Sequence, residues 1–254
     1  MTETGLKLRN PPIVEAMLDI ECVMPERELA LLKMAADDSL LSEYPRFEVF
    51  YPNLPIHVGL FSPPPQPMPL MPFQRDSLRF QYAHRDGKQL IQIRKGGYSF
   101  NRLAPYSTLD DYLEEIERTW KLFVRIAQPV SVRGIRMRYV NRILLPAQSE
   151  TLDLEGFLRF GPRLPDRGRL MFMSFFDQHV VVDKETGSNA NVVLATQTVE
   201  GDQLPLVFDI TVVGDTLVEP ADWAGISEKI QLLRSLKNLI FQNTLTEECL
   251  KLFQ

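Results

Sequence analysis

The chain of 254 residues is 44% hydrophobic and 24% charged, which excludes a disordered chain and is typical of a folded globular protein. Its formal net charge of -5 is unevenly spread, since 17 Lys and Arg stand against ten Asp and Glu between Arg79 and Arg169, and the rest of the chain is therefore strongly acidic. The two regions either build an anion-facing patch or neutralise each other in the fold, and we favour neutralisation.

No stretch of the sequence approaches the ~20 consecutive apolar residues that cross a bilayer, and the N-terminal residues lack the apolar core of a signal peptide. We therefore expect a cytoplasmic protein with no membrane segment. Cys22 and Cys249 lie near opposite ends of the chain and could form one bridge, but cytoplasmic thiols stay reduced. We predict that both are small apolar side chains on buried faces.

The first half begins with an alternating segment, Val14–Cys22, that predicts a strand with one buried face. Pro25 ends this strand and suits the first turn of a short helix that buries Leu32 and Ala36. Residues 52–72 are so rich in proline that neither helix nor central strand can persist. We predict a stiff connector there, rather than a ligand for an aromatic groove.

A small meander follows, with strands over 78–82, 91–93 and 98–103 and with a turn at Asp86-Gly87. The next segment has the apolar spacing of an amphipathic helix that ends before Pro129. Its N-cap is predicted to be Ser107 or Thr108, because an aspartate lies three residues after each of them.

The second half repeats the order of the first. We predict a long strand, a short helix, three strands and a long helix, over 130–145, 154–160, 170–182, 192–199, 206–213 and 222–242 in turn. The shared order, at a spacing of about 120 residues, indicates a structural duplication. We therefore predict an α+β protein built from two β-α-β(n)-α units, 1–129 and 130–254, packed as one globule. The sheets are antiparallel with long helices on one face, as two sheets or as one sheet continuous across a pseudo-twofold axis.

The C-terminus carries the spacing of a last short helix. Thr244–Glu247 contains the cap, and Leu245, Cys249 and Phe253 are its apolar residues. Because such a segment would expose many apolar side chains in solvent, we expect it to dock on the body of the protein, with a dimer interface as the alternative, and with Phe253 as the anchor.

Three segments of the sequence resemble a known family. They are LRNPPIVEA at 8–16, RMRYVNRI at 136–143 and LKNLIFQNTLTE at 236–247. The family is a sporadically distributed group of uncharacterised prokaryotic proteins, with an N-terminal N-[AP]-P-[IL]-x-E-A, a central R-Y-[IV]-N-R-I and a C-terminal K-N-x-x-F motif. The resemblance spans the chain and implies the patchy bacterial or archaeal distribution of accessory genes in mobile or defence-related neighbourhoods. It implies no activity, substrate or catalytic residue.

The central motif places one polar residue on an apolar face. Asn141 shares the parity of the buried positions of its strand, so its amide must find hydrogen-bond partners, either as a structural clamp or as a ligand contact. Arg136, Arg138 and Arg142 lie on the opposite face, and Glu15 is a candidate partner for one of them. Further candidates for phosphate or carboxylate recognition lie in a Gly/Pro-rich linker, unless they form only a solvated loop. These linker residues are Arg159, Arg163, Arg167 and Arg169.

Other motifs indicate no chemistry. The sequence His84-Arg85-Asp86 resembles a kinase catalytic loop, but it falls in a predicted turn without the accompanying motifs. Phosphate-binding and dinucleotide-binding glycine loops are absent from the sequence. Asp177 and His179 share a strand face, but two residues are a weak indication of a metal site. We predict no catalytic residue, no metal ligand and no cofactor.

The sequence thus favours a non-catalytic binding or interaction protein that presents a sheet surface to a protein partner or to a second copy of the chain. One alternative is an anion or nucleic-acid binder that uses the central arginines, against which the acidic pI of 5.4 counts. Another is an enzyme with a cleft between the two halves.

Overall fold

The structure is a computed structural model that describes residues 8–26, 28–50, 78–146, 154–163, 165–166, 169–170 and 174–254. The predicted proline-rich connector lies outside these residues. The elements in chain order are β1 (Ile13–Val23), α1 (Leu29–Leu40), β2 (Arg46–Phe50), β3 (Arg79–Ala83), β4 (Gln89–Arg94), β5 (Gly97–Leu103), α2 (Asp110–Ala127), β6 (Ser131–Pro146), α3 (Leu154–Phe157), β7 (Phe176–Val182), β8 (Asn189–Thr196), β9 (Gln203–Val218), α4 (Trp223–Thr244) and α5 (Glu247–Lys251).

The strands form one antiparallel sheet of nine strands in the order β2-β3-β4-β5-β1-β6-β9-β8-β7. Of the two predicted arrangements, the continuous sheet is the correct one. The strands β1 and β6 lie side by side at its centre and pair from Ile13–Asn141 to Val23–Ser131. The two halves of the chain therefore meet along a backbone hydrogen-bond ladder.

The strand order supports the predicted duplication. From the centre outward the first half runs β1-β5-β4-β3-β2, and the second half runs β6-β9-β8-β7. In each half the first strand is central, the last strand pairs with it, and the earlier strands follow towards the edge. The halves differ in one respect, because among the described residues no strand of the second half takes the position that β2 has in the first.

The two faces of the sheet differ in character because side chains alternate along each strand. The helices pack against the face that carries Leu18, Met137 and Ile210, which are all buried. The other face, which we call the polar face, carries Asp19 and Arg136 together with other charged and amide side chains. None of the helices among the described residues is long and apolar enough to span a membrane.

Several element boundaries differ from the predicted ones. The helix α1 begins at Leu29, after Glu28 as its N-cap, so Pro25 precedes the helix rather than occupying its first turn. The N-cap of α2 is Leu109 and no side chain caps it, because the Ser107 hydroxyl donates to the hydroxyl of Tyr112 instead.

Three strands also depart from the prediction. The strand β2 was not predicted, although Phe47 and Val49 alternate with Arg46 and Glu48, because its five residues are few and end just before the predicted proline-rich connector. The strand β7 begins at Phe176 rather than near residue 170, and β9 extends further than predicted, to Val218.

The C-terminal segment docks on its own chain, as predicted. Leu245 and Cys249 are fully buried and Phe253 is 6% exposed. The cap is Thr246, whose hydroxyl accepts from Cys249 N and donates to Gly156 O, 2.6 Å away. The Phe253 carbonyl accepts from Asn10 N at 3.0 Å and so joins the two ends of the described chain.

Asn141 is 1% exposed and faces the helices, as its parity predicted. Its amide nitrogen donates to Phe208 O at 2.9 Å and, more weakly, to Tyr139 O at 3.4 Å. These bonds to backbone oxygens support the structural clamp rather than a ligand contact.

Replacing Asn141 with leucine is expected to lower the free energy of unfolding by about 1–3 kcal/mol, because buried backbone oxygens lose their donor. Gln203→Leu, at an exposed position of β9, is the control and should change stability by less than about 0.5 kcal/mol. Urea unfolding of both variants measures the difference. Equal midpoints would show that the amide contributes nothing to the core.

Candidate binding surface on the polar face

The three predicted arginines of β6 lie on the polar face, and each one contacts a carboxylate of another segment. Arg136 contacts Asp19 at 2.8 Å, Arg138 contacts Asp209 at 2.6 Å, and the third pair is Arg142 with Glu200 at 2.6 Å. The predicted partner for one of these arginines was Glu15. Its carboxylate accepts from the Asn101 amide at 3.1 Å, and its charge contributes to raising the pKa of Arg138.

The Arg138–Asp209 pair has the most specific geometry of the three. The Arg138 Nε donates to both oxygens of Asp209, at 3.1 and 2.9 Å, and Nη2 donates to Oδ2 at 2.6 Å. These hydrogen bonds are the main reason that the pKa of Arg138 is raised. Fork-shaped contacts of this kind fix the direction of both side chains.

Asp19 lies at the centre of the polar face and is 1% exposed. Its Oδ1 accepts from Ser99 Oγ and from Arg94 Nη2, each at 2.6 Å, while Oδ2 accepts from Arg136. Burial alone would raise the pKa of Asp19, but the charges of Arg94 and Arg136 and the hydrogen bonds from Ser99 and Arg94 outweigh burial. The pKa therefore lies below its ordinary value, and the carboxylate is charged at neutral pH.

Asp19 belongs to a row of polar side chains that runs across the sheet from β2 to β6. Successive members stand directly opposite one another on neighbouring strands. The row consists of Glu48, Gln81, Gln92, Ser99, Asp19 and Arg136. Hydrogen bonds join several neighbours, including Gln92 Nε2 to Gln81 Oε1 at 2.7 Å. Such a ladder holds the side chains of the polar face in fixed positions.

The ion pairs show which acidic residues neutralise the excess of Lys and Arg in the middle of the chain. Besides Arg136, Arg138 and Arg142, the fourth β6 arginine, Arg133, pairs with Glu21, and Arg118 pairs with Glu43. All these acids come from the acidic regions before or after the basic one. The predicted mutual neutralisation is confirmed for these residues, and the polar face presents charges of both signs.

The structure separates the linker arginines from those of β6. Arg159 lies near the end of α4, where Nε donates to Leu245 O at 3.0 Å, and Arg163 pairs with Glu155 at 2.9 Å. Arg169 is exposed, and Arg167 lies outside the described residues. The described linker arginines therefore do not extend the row on the polar face.

The three motifs of the family resemblance meet around β1 and β6. Arg142 N donates to Pro12 O at 2.8 Å, and Ile13 stands opposite Asn141. From α4, the Lys237 ammonium lies 4.4 Å from the centroid of the Tyr139 ring. These contacts show that motif residues far apart in sequence support one part of the core.

A small cavity lies beneath α2, beside Tyr106, Tyr112 and Tyr139. Its volume is about 10 Å³, enough for about one water molecule. The Tyr106 and Tyr139 hydroxyls lie 3.4 Å apart beside it. A cavity of this size does not hold a substrate, so it is not the cleft that an enzyme would need.

The remaining candidate groups make local contacts. Asp86 accepts from Lys88 N and from Arg102 Nη1 in the β3–β4 turn, which accounts for its place beside His84. His179 lies 2.9 Å from Asp177, and the described residues contain no cluster of three or more groups that could hold a metal.

Both cysteines are buried free thiols, as predicted. Burial raises the pKa of Cys22 and of Cys249 to about 12. Neither thiol is therefore a ready nucleophile.

The sequence analysis missed Arg94 and Asp209 as parts of this surface. Arg94 ends a strand that was recognised, but only the pairing of β4, β5 and β1 brings it to Asp19. Asp209 alternates with buried residues of β9, which places it on the polar face. That alternation is the one sign in the sequence that Asp209 lies on the polar face, and it does not identify Arg138 as the partner of Asp209.

Comparison of the chain with protein-family models, with curated proteins and with solved structures gives no match.

Proposed function

We propose that the protein is a non-catalytic interaction protein and that the polar face of its sheet binds a protein partner. The observation that carries this proposal is the pairing of each β6 arginine with a carboxylate from another segment. Charges of both signs in fixed positions favour a partner with a complementary pattern, because unlike charges attract and misplaced like charges repel.

The same pairing counts against an anion or nucleic-acid binder. Polynucleotide affinity comes mainly from cations that replace the counterions of phosphates, and the four β6 arginines are already paired with carboxylates. Arg94 and Arg136 share one carboxylate, but their side chains are only 12% and 16% exposed. Nucleic-acid binding is therefore the competing outcome in the test below.

The proposal also includes a family membership and a cellular location for the protein. The three motifs that meet at β1 and β6 support membership of the sporadically distributed prokaryotic family, with an accessory or defence-associated role. Two unpaired, buried thiols support a cytoplasmic location, because a reducing compartment keeps such thiols unpaired.

The test exchanges the two charges of one pair. In the double variant Arg138→Asp with Asp209→Arg the ion pair can re-form, but its two signs change places on the polar face. The matched control exchanges Glu248 and Lys251 on α5, which are both 64% exposed. Chemical cross-linking in the cells of origin, followed by mass spectrometry, identifies partners of the unaltered protein, and binding to purified partner is then measured for each variant.

We expect the Arg138/Asp209 exchange to weaken partner binding at least about tenfold, or ~1.4 kcal/mol, with an unchanged circular dichroism spectrum. The control should bind like the original protein. Equal binding by both variants would contradict the proposal. So would salt-dependent binding of the original protein to a mixed-sequence oligonucleotide that the exchange abolishes, and this second result would favour the nucleic-acid binder.

A further inference from the structure

The strand β7 is the last strand on one side of the sheet, and no described strand pairs with its outer edge. Its side chains are unusually exposed for apolar residues. Phe176 is 58% exposed, Val180 43%, Val181 44% and Val182 59%. Soluble proteins protect edge strands with charge, proline, bulges or a covering segment, because a bare apolar edge pairs with other chains.

The hydrogen bonds to β8 show which groups of β7 point outward. Asp183 N donates to Ser188 O at 2.8 Å, and Thr196 N donates to Phe175 O at 3.2 Å. The odd-numbered residues therefore pair with β8, since hydrogen-bonded residues alternate along an antiparallel strand. The backbone groups of the even-numbered residues point away from the sheet, and these residues are Phe176, Gln178, Val180 and Val182.

The first half of the chain shows how the corresponding position is filled. There β2 pairs with β3, from Arg46–Ala83 to Phe50–Arg79, and Arg46 and Glu48 are charged residues of that edge strand. The described part of the second half has no such fifth strand, and its edge strand has one charged residue, Asp177. Within the described part of the second half, the strand position beside this apolar edge is therefore open.

We propose that the outer edge of β7 pairs antiparallel with β7 of a second copy of the chain, about a twofold axis through His179. The nine-stranded sheets of the two copies join into one continuous sheet. In this register Phe176 stands opposite Val182 of the partner subunit, and Gln178 stands opposite Val180 of the partner subunit. All four outward-pointing residues of each strand then form hydrogen-bonded pairs. This proposal is independent of the partner proposed for the polar face.

The sequence of β7 is compatible with antiparallel pairing between two copies of this strand. Under the twofold axis Asp177 meets Val181 of the partner subunit, so no two formal charges of like sign stand opposite each other within the strand. The exposed side chains of Phe176 and Val182 cover each other on the polar face. A twofold contact uses the same edge of both copies, so assembly stops at a dimer. An edge that stays unpaired can instead pair with strands of other chains and lead to aggregation.

The first test removes one outward donor. Val180→Pro deletes an N–H that points away from β8, so the hydrogen bonds between β7 and β8 are kept. An edge strand tolerates proline at such an outward-pointing position. The control is Val181→Thr, because Val181 is equally exposed but its backbone groups pair with β8. Light scattering during size-exclusion chromatography gives the mass of each protein.

We expect twice the chain mass of 29.2 kDa for the original protein and for Val181→Thr, and the single chain mass for Val180→Pro. The melting temperature of Val180→Pro should change by no more than about 4 °C, apart from its loss of concentration dependence. A monomeric original protein at 100 micromolar, roughly a hundred times a typical micromolar Kd, would overturn the proposal. A dimeric Val180→Pro protein would also overturn it.

The second test checks the register. The two copies of residue 179 form a pair that is not hydrogen-bonded, with Cα atoms about 4.5 Å apart, which a disulfide can span. His179→Cys should therefore cross-link into a dimer under mild oxidation on a non-reducing gel. Val181→Cys lies on the same face but about 13 Å from its own symmetry mate, by ~3.3 Å per residue, and should remain uncross-linked. Cross-linking of Val181→Cys, or of neither variant, would overturn this register.

Discussion

Replacing Asp19 with asparagine is expected to lower the free energy of unfolding by about 3–5 kcal/mol, because removing one partner of a buried ion pair leaves uncompensated charge. Here the charges left behind belong to Arg94 and Arg136, whose side chains are 12% and 16% exposed. The control is Asp209→Asn, since its partner Arg138 has a side chain that is 35% exposed and solvent can screen it. The control should lose less than about 2 kcal/mol.

The effect of Asp19→Asn should also depend on pH. The pKa of Asp19 is lowered in the folded protein, so the unfolded chain takes up a proton first as the pH falls. The stability that the carboxylate contributes is therefore complete above its unfolded pKa of about 3.9 and is lost as the pH falls below that value, through the folded pKa. Urea unfolding at several pH values should show the difference between the original protein and Asp19→Asn shrinking below pH ~4.

A third variant separates lost charge from lost packing. Joint replacement of Asp19 by leucine, and of Arg94 and Arg136 by methionine, removes all three charges and should recover much of the loss, since apolar groups often substitute for a buried ion pair. A single Asp19→Asn variant that is as stable as the original protein at pH 7 would contradict the account of this centre.

Deleting residues 244–254 is expected to unfold the protein or to make it insoluble. The deletion removes Leu245 and Cys249, which are fully buried, and Phe253, which is 6% exposed. At roughly 1.5–3 kcal/mol for each large apolar side chain, their burial contributes an amount comparable with the whole stability of a typical domain, about 5–15 kcal/mol. The fraction of soluble protein and the melting temperature are the measurements.

Point variants make this prediction quantitative. Phe253→Ala should lose about 3–5 kcal/mol, as is usual for a buried phenylalanine. The neighbouring Leu252 is 43% exposed, and Leu252→Ala should lose less than about 1 kcal/mol. A truncated protein that melts and elutes like the full-length chain would show that the segment is not part of the core.

Much of the fold could be predicted from sequence because alternation determines which side chains share a face. The apolar parity of β1 and β6 placed Asn141 in the core and Arg136, Arg138 and Arg142 on the opposite face. The repeated order of elements indicated the duplication. Each of these patterns can be recognised within a short segment. When one face of a strand is buried, such a pattern predicts correctly which face each side chain occupies.

The candidate surface was less predictable because it depends on register. Arg94, Asp19 and Arg136 come together only through the pairing of β4, β5, β1 and β6, and no spacing in the sequence encodes that alignment. Glu15 was chosen as a partner because it lies on the polar parity of β1, and its charge does act on Arg138. Asp19 has the same parity and stands directly opposite Arg136, but its place in the sequence gives no reason to prefer it. The strand β2 was missed because its alternation covers only five residues, which end just before the proline-rich segment.

The ladder between β1 and β6 has a mechanical consequence. Its pairs extend from Ile13–Asn141 to Val23–Ser131, so a hinge between the halves would have to break backbone hydrogen bonds at the centre of the sheet. Closure of one half over a ligand, in the manner of a clamshell, is therefore not available to the sheet. A partner meets a surface whose shape is set before contact, and its arrival is governed by diffusion and by the charge pattern rather than by a slow rearrangement. Association with such a surface is expected to be fast and to slow down as salt is added.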